Sequence, residues 1–124
     1  MRSEGFSDKT KYLGLPVTIF SEIIEKIENI NNFKILLRLI YLTQTKKGKF
    51  QFCTIDELLA DRILMRTLQK TYPQSDKKEI IEKSFNQLIK LELIIKISQK
   101  SDNEKAYFLN TKFNRSVANK FSNH

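Results

Sequence analysis

Four polar side chains close together in the sequence, Lys83, Asn86, Gln87 and Lys90, are of types that read nucleic acid. Asn and Gln amides can make the paired hydrogen bonds that an adenine edge offers, while a Lys ammonium meets guanine acceptors or phosphate. Lys77 and Lys78 stand ahead of this group, and Lys100 and Lys105 follow it in a polar stretch. All four suit phosphate oxygens. Each residue taken singly suits a solvated helix face better than a DNA contact, so only the set carries the reading. Arg38, Arg62 and Arg66 are alternatives, and are more informative for being among only 5 arginines against 17 lysines.

Other chemistry is poorly supplied. Cys53 is the only cysteine, so an internal disulfide is impossible, and its place in Phe50-Gln-Phe-Cys53 suits a buried thiol. The single histidine, His124, is the last residue, which leaves no Cys/His metal set. Asp56, Glu57 and Asp61 are close together, but capping and helix-dipole preference explain the first two. Asp61 suits Arg62, Arg66 or a backbone amide. No Ser, Cys or Lys has a paired base in sequence, and the lysines around Gly48 lack the GKS/GKT pattern of a phosphate loop. The expectation is a protein with no catalytic residue, no cofactor and no small-molecule substrate.

The elements that would position the polar set are legible from periodicity. Ile81, Phe85 and Leu88 recur at helical spacing, with Ile80 and Ile89 widening the stripe, which predicts a helix over 76–91. Lys78, Lys83, Asn86, Gln87 and Lys90 fall on or near its other side. The period then drops to two at Leu93, Ile95 and Ile97. Residues 99–104 make a polar tip, and Ala106 to Leu109 a second strand. A helix feeding a basic-tipped hairpin is the core of a winged helix, whose helix enters the DNA major groove while the hairpin reaches a neighbouring backbone. The fold class expected is α+β, mainly helical, a winged helix with a small antiparallel sheet and a C-terminal helix.

The rest of the chain fits around that unit. A first helix is expected over about 19–30, with Ile19, Ile23, Ile27 and Ile30 on its apolar face and Phe20 and Ile24 beside it. A second, over about 33–46 and capped by Asn31 or Asn32, leaves almost no polar face and reads as the buried centre. Lys49 to Cys53 suits a short strand. Thr54-Ile-Asp-Glu57 is a capping box opening a short helix over 55–60. Residues 61–75 make a long connection to the main helix, in which Ile63, Leu64 and Leu68 continue the apolar pattern with Arg62, Arg66 and Lys70 between. Asp76 and Glu79 form a second capping pair. Asn110-Thr111 caps a terminal helix with Phe113, Val117 and Phe121 facing the body.

Composition agrees with a nucleic-acid partner. The 124 residues carry a formal net charge of +8, and its distribution is uneven. Residues 1–30 hold 4 basic and 5 acidic groups, residues 31–124 hold 18 and 9. A basic body of this kind attracts nucleic acid or an acidic partner. The organisation expected is a polar arm over 1–11, one domain over 12–121 and a tail over 122–124. The polar first residues do not read as a secretory signal. The longest mainly apolar run, Ile35 to Leu42, is interrupted by Arg38 and too short to span a bilayer, so a cytoplasmic location and no membrane partner are expected.

Four stretches carry a family likeness: Phe20-Ser-Glu-Ile-Ile24, Asn32-Phe-Lys-Ile-Leu-Leu37, Thr54-Ile-Asp-Glu-Leu-Leu-Ala-Asp61 and Tyr107-Phe-Leu-Asn-Thr111. In this order the chain resembles, over about residues 6–118, the N-terminal winged-helix domain of the bacterial DnaD replication-initiation proteins. The resemblance implies a part in primosome assembly and helicase loading, with double-stranded DNA and replication-complex proteins as partners. In that family the winged helix also serves self-association, and a separate C-terminal domain with a Trp-containing motif carries much of the DNA binding. This sequence ends soon after the hairpin and has no Trp. The resemblance therefore also implies a self-associating or adaptor role. Tyr12 and Leu15, in the segment from Tyr12 to Val17, are the residues expected at a dimer contact.

Overall fold

The computed structural model describes residues 5–46, 52–98 and 105–122. Among them the chain is mainly helical, with a two-stranded antiparallel sheet near the C-terminus. Before the sheet come a 3-10 turn, Val17–Phe20, and helices α1 (Glu22–Lys26), α2 (Ile30–Gln44), α3 (Ile55–Leu59), α4 (Arg62–Thr71) and α5 (Lys77–Lys90). Strands β1 (Ile94–Ser98) and β2 (Lys105–Leu109) follow, then α6 (Lys112–Ser122).

Helix α5 starts where the Asp76 carboxylate accepts from the Lys78 amide at 3.0 Å. Ile81, Ser84, Phe85 and Leu88 face inward and are buried, the helical stripe expected from their spacing, and the helix packs on α2, α3 and β1. It stops on a backbone turn with Glu92 at φ 62°, a left-handed conformation that favours glycine. The Leu93 amide donates to the Leu88 carbonyl at 3.0 Å and the Glu92 amide to Ile89 at 2.9 Å. This pairing meets carbonyls that a helix end otherwise leaves open and turns the chain into β1. In the hairpin Ile94 lies opposite Leu109 and Ile97 opposite Ala106. The expected tip, 99–104, including Lys100, lies outside the described residues.

Helix α2 supplies the centre. Ile35, Leu36, Leu39 and Ile40 are buried, and the helix packs on α5, α4 and β2. Its outer side is more polar than the sequence suggests, with Lys34 and Tyr41 exposed. Two expectations are corrected here. The N-cap is Asn29, whose side chain accepts from the Asn31 amide at 2.8 Å, not Asn31 or Asn32. The single helix expected over 19–30 is a 3-10 turn followed by the five-residue α1, because Ile27 is extended at φ −91°, ψ 104°. Ile19, Ile23 and Ile27 still share a buried face, but Ile30 opens α2 instead and is exposed.

Helix α3 begins on the capping box: the Glu57 amide donates to the Thr54 hydroxyl at 3.2 Å, and the Glu57 carboxylate accepts from the Thr54 amide. The long connection foreseen over 61–75 is mostly helical, and forms α4. Asp61 starts it, accepting from the Ile63 amide at 3.2 Å. Both oxygens of the same carboxylate hold Arg38 of α2, at 2.6 Å from Nε and 3.0 Å from Nη2. Asp61 therefore joins the α3–α4 junction to α2, a role carried by Arg38 and not by Arg62 or Arg66. Leu64 and Leu68 turn α4's apolar side inward.

Of the strand expected over 49–53, residues 49–51 lie outside the described residues. Cys53 forms an isolated antiparallel bridge with Tyr107, with amide–carbonyl distances of 2.9 and 2.8 Å. Its thiol is fully buried, and burial pushes its pKa up to about 12, with Glu57 adding to the shift and Lys46 opposing it. Phe85 and Tyr107 meet in the core with ring centroids 4.3 Å apart. Beyond the hairpin, α6 packs on β1. Val117 and Ala118 join Ile97, Ala106 and Phe108 in a second, smaller cluster. Phe113, expected inward with Val117, is 69% exposed, because the buried face of α6 centres on the adjacent pair Val117 and Ala118. No described helix is long and apolar enough to cross a membrane.

Two outcomes follow from this packing. Asp61→Ala removes a cap and leaves Arg38 without its anion, at a cost of about 3 kcal/mol in urea unfolding. Asp61→Asn, which keeps the cap, loses less; equal losses would show that the cap contributes nothing. The Cys53 thiol stays protonated in the folded state after the unfolded chain has released its proton. Stability therefore falls as pH rises from about 9 toward 12, by at most about 1.4 kcal/mol per pH unit from this group. Cys53→Ala should lack that component when its pH–stability curve is subtracted from the parent's.

Candidate nucleic-acid interface

The burial of Ile81, Phe85 and Leu88 turns the opposite side of α5 outward. Lys78, Glu79, Glu82, Lys83, Asn86, Gln87 and Lys90 are all exposed there. The sequence-predicted polar set thus does share one side of one helix, but its members are not equally available. Lys83 pairs with Glu79 at 3.3 Å, one helical turn away. The Gln87 side-chain carbonyl accepts from the Asn32 amide of α2. Lys77 is half-buried, and its ammonium donates to the carbonyls of Tyr72 at 2.7 Å and Ser75 at 2.9 Å. It closes the turn between α4 and α5 and does not extend toward a phosphate. Asn86 and Lys90 form no side-chain hydrogen bond or ion pair among the described residues.

The hairpin side carries the remaining cations. Lys78 and Lys105 line a hollow of about 200 Å³ together with Glu82 and Tyr107. The Tyr107 phenol is pushed above its ordinary pKa, first by burial and then by the Glu82 charge, so it remains a neutral hydrogen-bonding group. Lys100 lies outside the described residues. On the other flank, Asn86 shares a larger hollow with Lys96 of β1 and Arg115 of α6. Lys96 is exposed, and the strand alternation that buries Ile97 is the signal that would have nominated it. Arg115 donates to Asn110 Oδ1 at 2.8 Å.

The cleaner basic surface lies on α4. Arg62, Arg66 and Lys70 are spaced at i, i+4 and i+8, all exposed, and the helix contains no acidic residue. Among the described residues none of the three has an ion-pair partner. Residues at this spacing lie on one helix side. By contrast Arg38, the other arginine considered, is engaged by Asp61 and lies with its guanidinium carbon 4.5 Å from the Tyr41 ring centroid. It is unavailable for DNA without breaking the fold.

The remaining chemistry is sparse. Among the described residues no group of three or more His, Cys, Asp or Glu side chains could hold a metal ion. Glu57, one of the carboxylates in the early cluster, pairs with Lys46 at 2.5 Å in addition to its capping role. The two residues expected at a dimer contact differ in exposure: Tyr12 is 86% exposed and Leu15 39%. Comparison of the chain with protein-family models, curated proteins and solved structures finds no match.

Proposed function

We propose that the chain is a winged-helix protein that binds double-stranded DNA, resembling the DnaD replication-initiation proteins and acting in the cytoplasm in replication initiation or primosome assembly. The observation that carries the DNA reading is the α4 stripe of Arg62, Arg66 and Lys70, three exposed cations with no acidic residue on their helix, immediately ahead of the α5–hairpin unit. In this reading α5 is the recognition helix, β1 and β2 form the wing and Cys53 marks the third strand of the wing sheet. Asn86 and Lys90 face base edges, with Lys83 and Gln87 joining after exchanging their present partners. Lys78 and Lys105 reach phosphate from the wing side. Glu79 and Glu82 share the α5 surface and repel phosphate, so most of the electrostatic grip falls to α4 and the wing. The role is binding, without catalysis.

A second reading is a self-associating or adaptor winged helix. It is favoured by an exposed apolar N-terminal region in which Phe6, Tyr12, Val17 and Phe20 are each more than two-thirds exposed. Exposed aromatic groups in one region are a common mark of a protein contact. A small transcriptional regulator shares the DNA chemistry of the first reading and differs only in its target.

Fluorescence anisotropy on random duplex DNA across a salt series tests the DNA reading. Log affinity should fall linearly with log salt, by about 0.9 per phosphate neutralised. Arg62→Glu with Arg66→Glu should lower that slope by about two and leave the unfolding midpoint unchanged. Lys83→Glu with Lys90→Glu should weaken binding through α5. Absence of binding at low salt would remove the reading. For the adaptor role, light scattering of the parent chain should give a mass above the monomer that Tyr12→Ser lowers. A monomeric parent would exclude self-association.

A further inference from the structure

We propose that Glu82, on the outward side of α5, is a base-reading residue that selects cytosine in duplex DNA, one helical turn before Asn86 selects adenine. The inference rests on the DNA reading and deepens it, by giving the recognition helix a base preference.

Hollows flank α5 along its length. Toward α2, one is lined by Asn29, Asn32, Ser84 and Gln87, among others. Toward the hairpin, Lys78 and Glu82 border one with Lys105, and Asn86 and Ile89 border another with Lys96. The helix therefore stands as a ridge between them, and the major groove admits a helix in that form. Along the ridge the side chains differ in availability. Gln87 lies toward α2, where Asn32 holds it, and Lys83 is matched to Glu79. Glu82, Asn86 and Lys90 are exposed, and form no ion pair or side-chain hydrogen bond among the described residues.

Glu82 and Asn86 present different chemistry to a base edge. A carboxylate only accepts hydrogen bonds. In the major groove cytosine offers its N4 donor alone, guanine and thymine offer acceptors, and adenine sets an acceptor beside its donor. A carboxylate therefore favours cytosine and is repelled by guanine and thymine. Its charge also keeps it off the phosphates, which fall to Lys78 and Lys105 beside the same hollow. The Asn86 amide has a donor and an acceptor together, and matches adenine. From Glu82 to Asn86 is about 6 Å along the helix axis. That is close to two base-pair steps of about 3.4 Å, so the cytosine and the adenine belong within about two base pairs of each other.

Selection by the full chain from a pool of random duplexes, followed by anisotropy on the enriched duplex, tests the proposal. The expected result is a position at which the parent prefers cytosine over thymine about tenfold. Glu82→Gln should move that preference to adenine, the base that a Gln amide pairs, with its unfolding midpoint unchanged. Asn86→Ala should keep the cytosine and lose the adenine nearby. A carboxylate that only repels phosphate gives a different outcome. Glu82→Gln then tightens binding to all duplexes alike, which overturns the proposal and leaves the DNA reading in place. Selection of no base, or of the same base by parent and Glu82→Gln, also overturns the proposal alone. Absence of binding at low salt removes the DNA reading and this inference with it.

Discussion

The carboxylate of Asp61 holds two separate parts of the chain at once. Its oxygens take the guanidinium of Arg38 in a two-point contact, and one of them also accepts the Ile63 amide at the start of α4. The Asp61 side chain is only 5% exposed. A charge removed from water to this degree is tolerable only when paired and fully hydrogen-bonded. The arrangement therefore admits one placement of α4 against α2, and not a range of them. Leu64 and Leu68 then fall inward, and Arg62, Arg66 and Lys70 fall outward. The orientation of the basic stripe depends on an acidic residue whose ion pair is with Arg38 and with none of the stripe's members.

Helix α5 depends on a different constraint. Its inner face is fixed by complete burial of Ile81, Phe85 and Leu88, and its ends by Asp76 and by the left-handed turn at Glu92. A non-glycine residue there carries conformational strain. The chain reaches the hairpin through that turn, with the Asn110 side chain and backbone amides bonded to the carbonyls of Glu92 and Leu93. Fastening the far end of β2 to the exit of α5 keeps helix and hairpin in one relation. Lys78 and Lys105, 27 positions apart in the numbering, come to line the same hollow as a consequence. The joining of local elements into a shared surface is achieved by the side-chain and backbone amides of Asn110 and not by the cations themselves.

The polar face of α5 illustrates how composition and availability differ. Seven polar residues share its outer side, but two are glutamates, Lys83 is matched to Glu79 and Gln87 is drawn to Asn32. Lys77 has turned to its own preceding loop. On α4 the three cations have no competing carboxylate on their helix. Electrostatic attraction at a surface depends on local net charge. By that measure α4 is the stronger anion-facing element, and α5 the richer in groups capable of specific hydrogen bonding.

The sequence by itself determined the elements whose signals are local. The stripe Ile81, Phe85 and Leu88, the capping box Thr54–Glu57 and the period-two run through Ile97 each act within a few residues, and each led to the right element. A helix cap is decided by the nearest amide, and an apolar face by repetition along one segment. Tertiary structure decided what these residues touch. Nothing near Asp61 in sequence indicates that its partner is Arg38, 23 positions away, and nothing near Asn32 indicates Gln87. The break at Ile27 was equally hidden, because the isoleucines continue at helical spacing through a segment that Asn29 caps afresh. Phe113 faces outward although its spacing from Val117 is helical, since the surface offered by β1 selects Val117 and Ala118 together. Periodicity records which residues prefer burial, but the shape of the partner surface decides which of them obtain it.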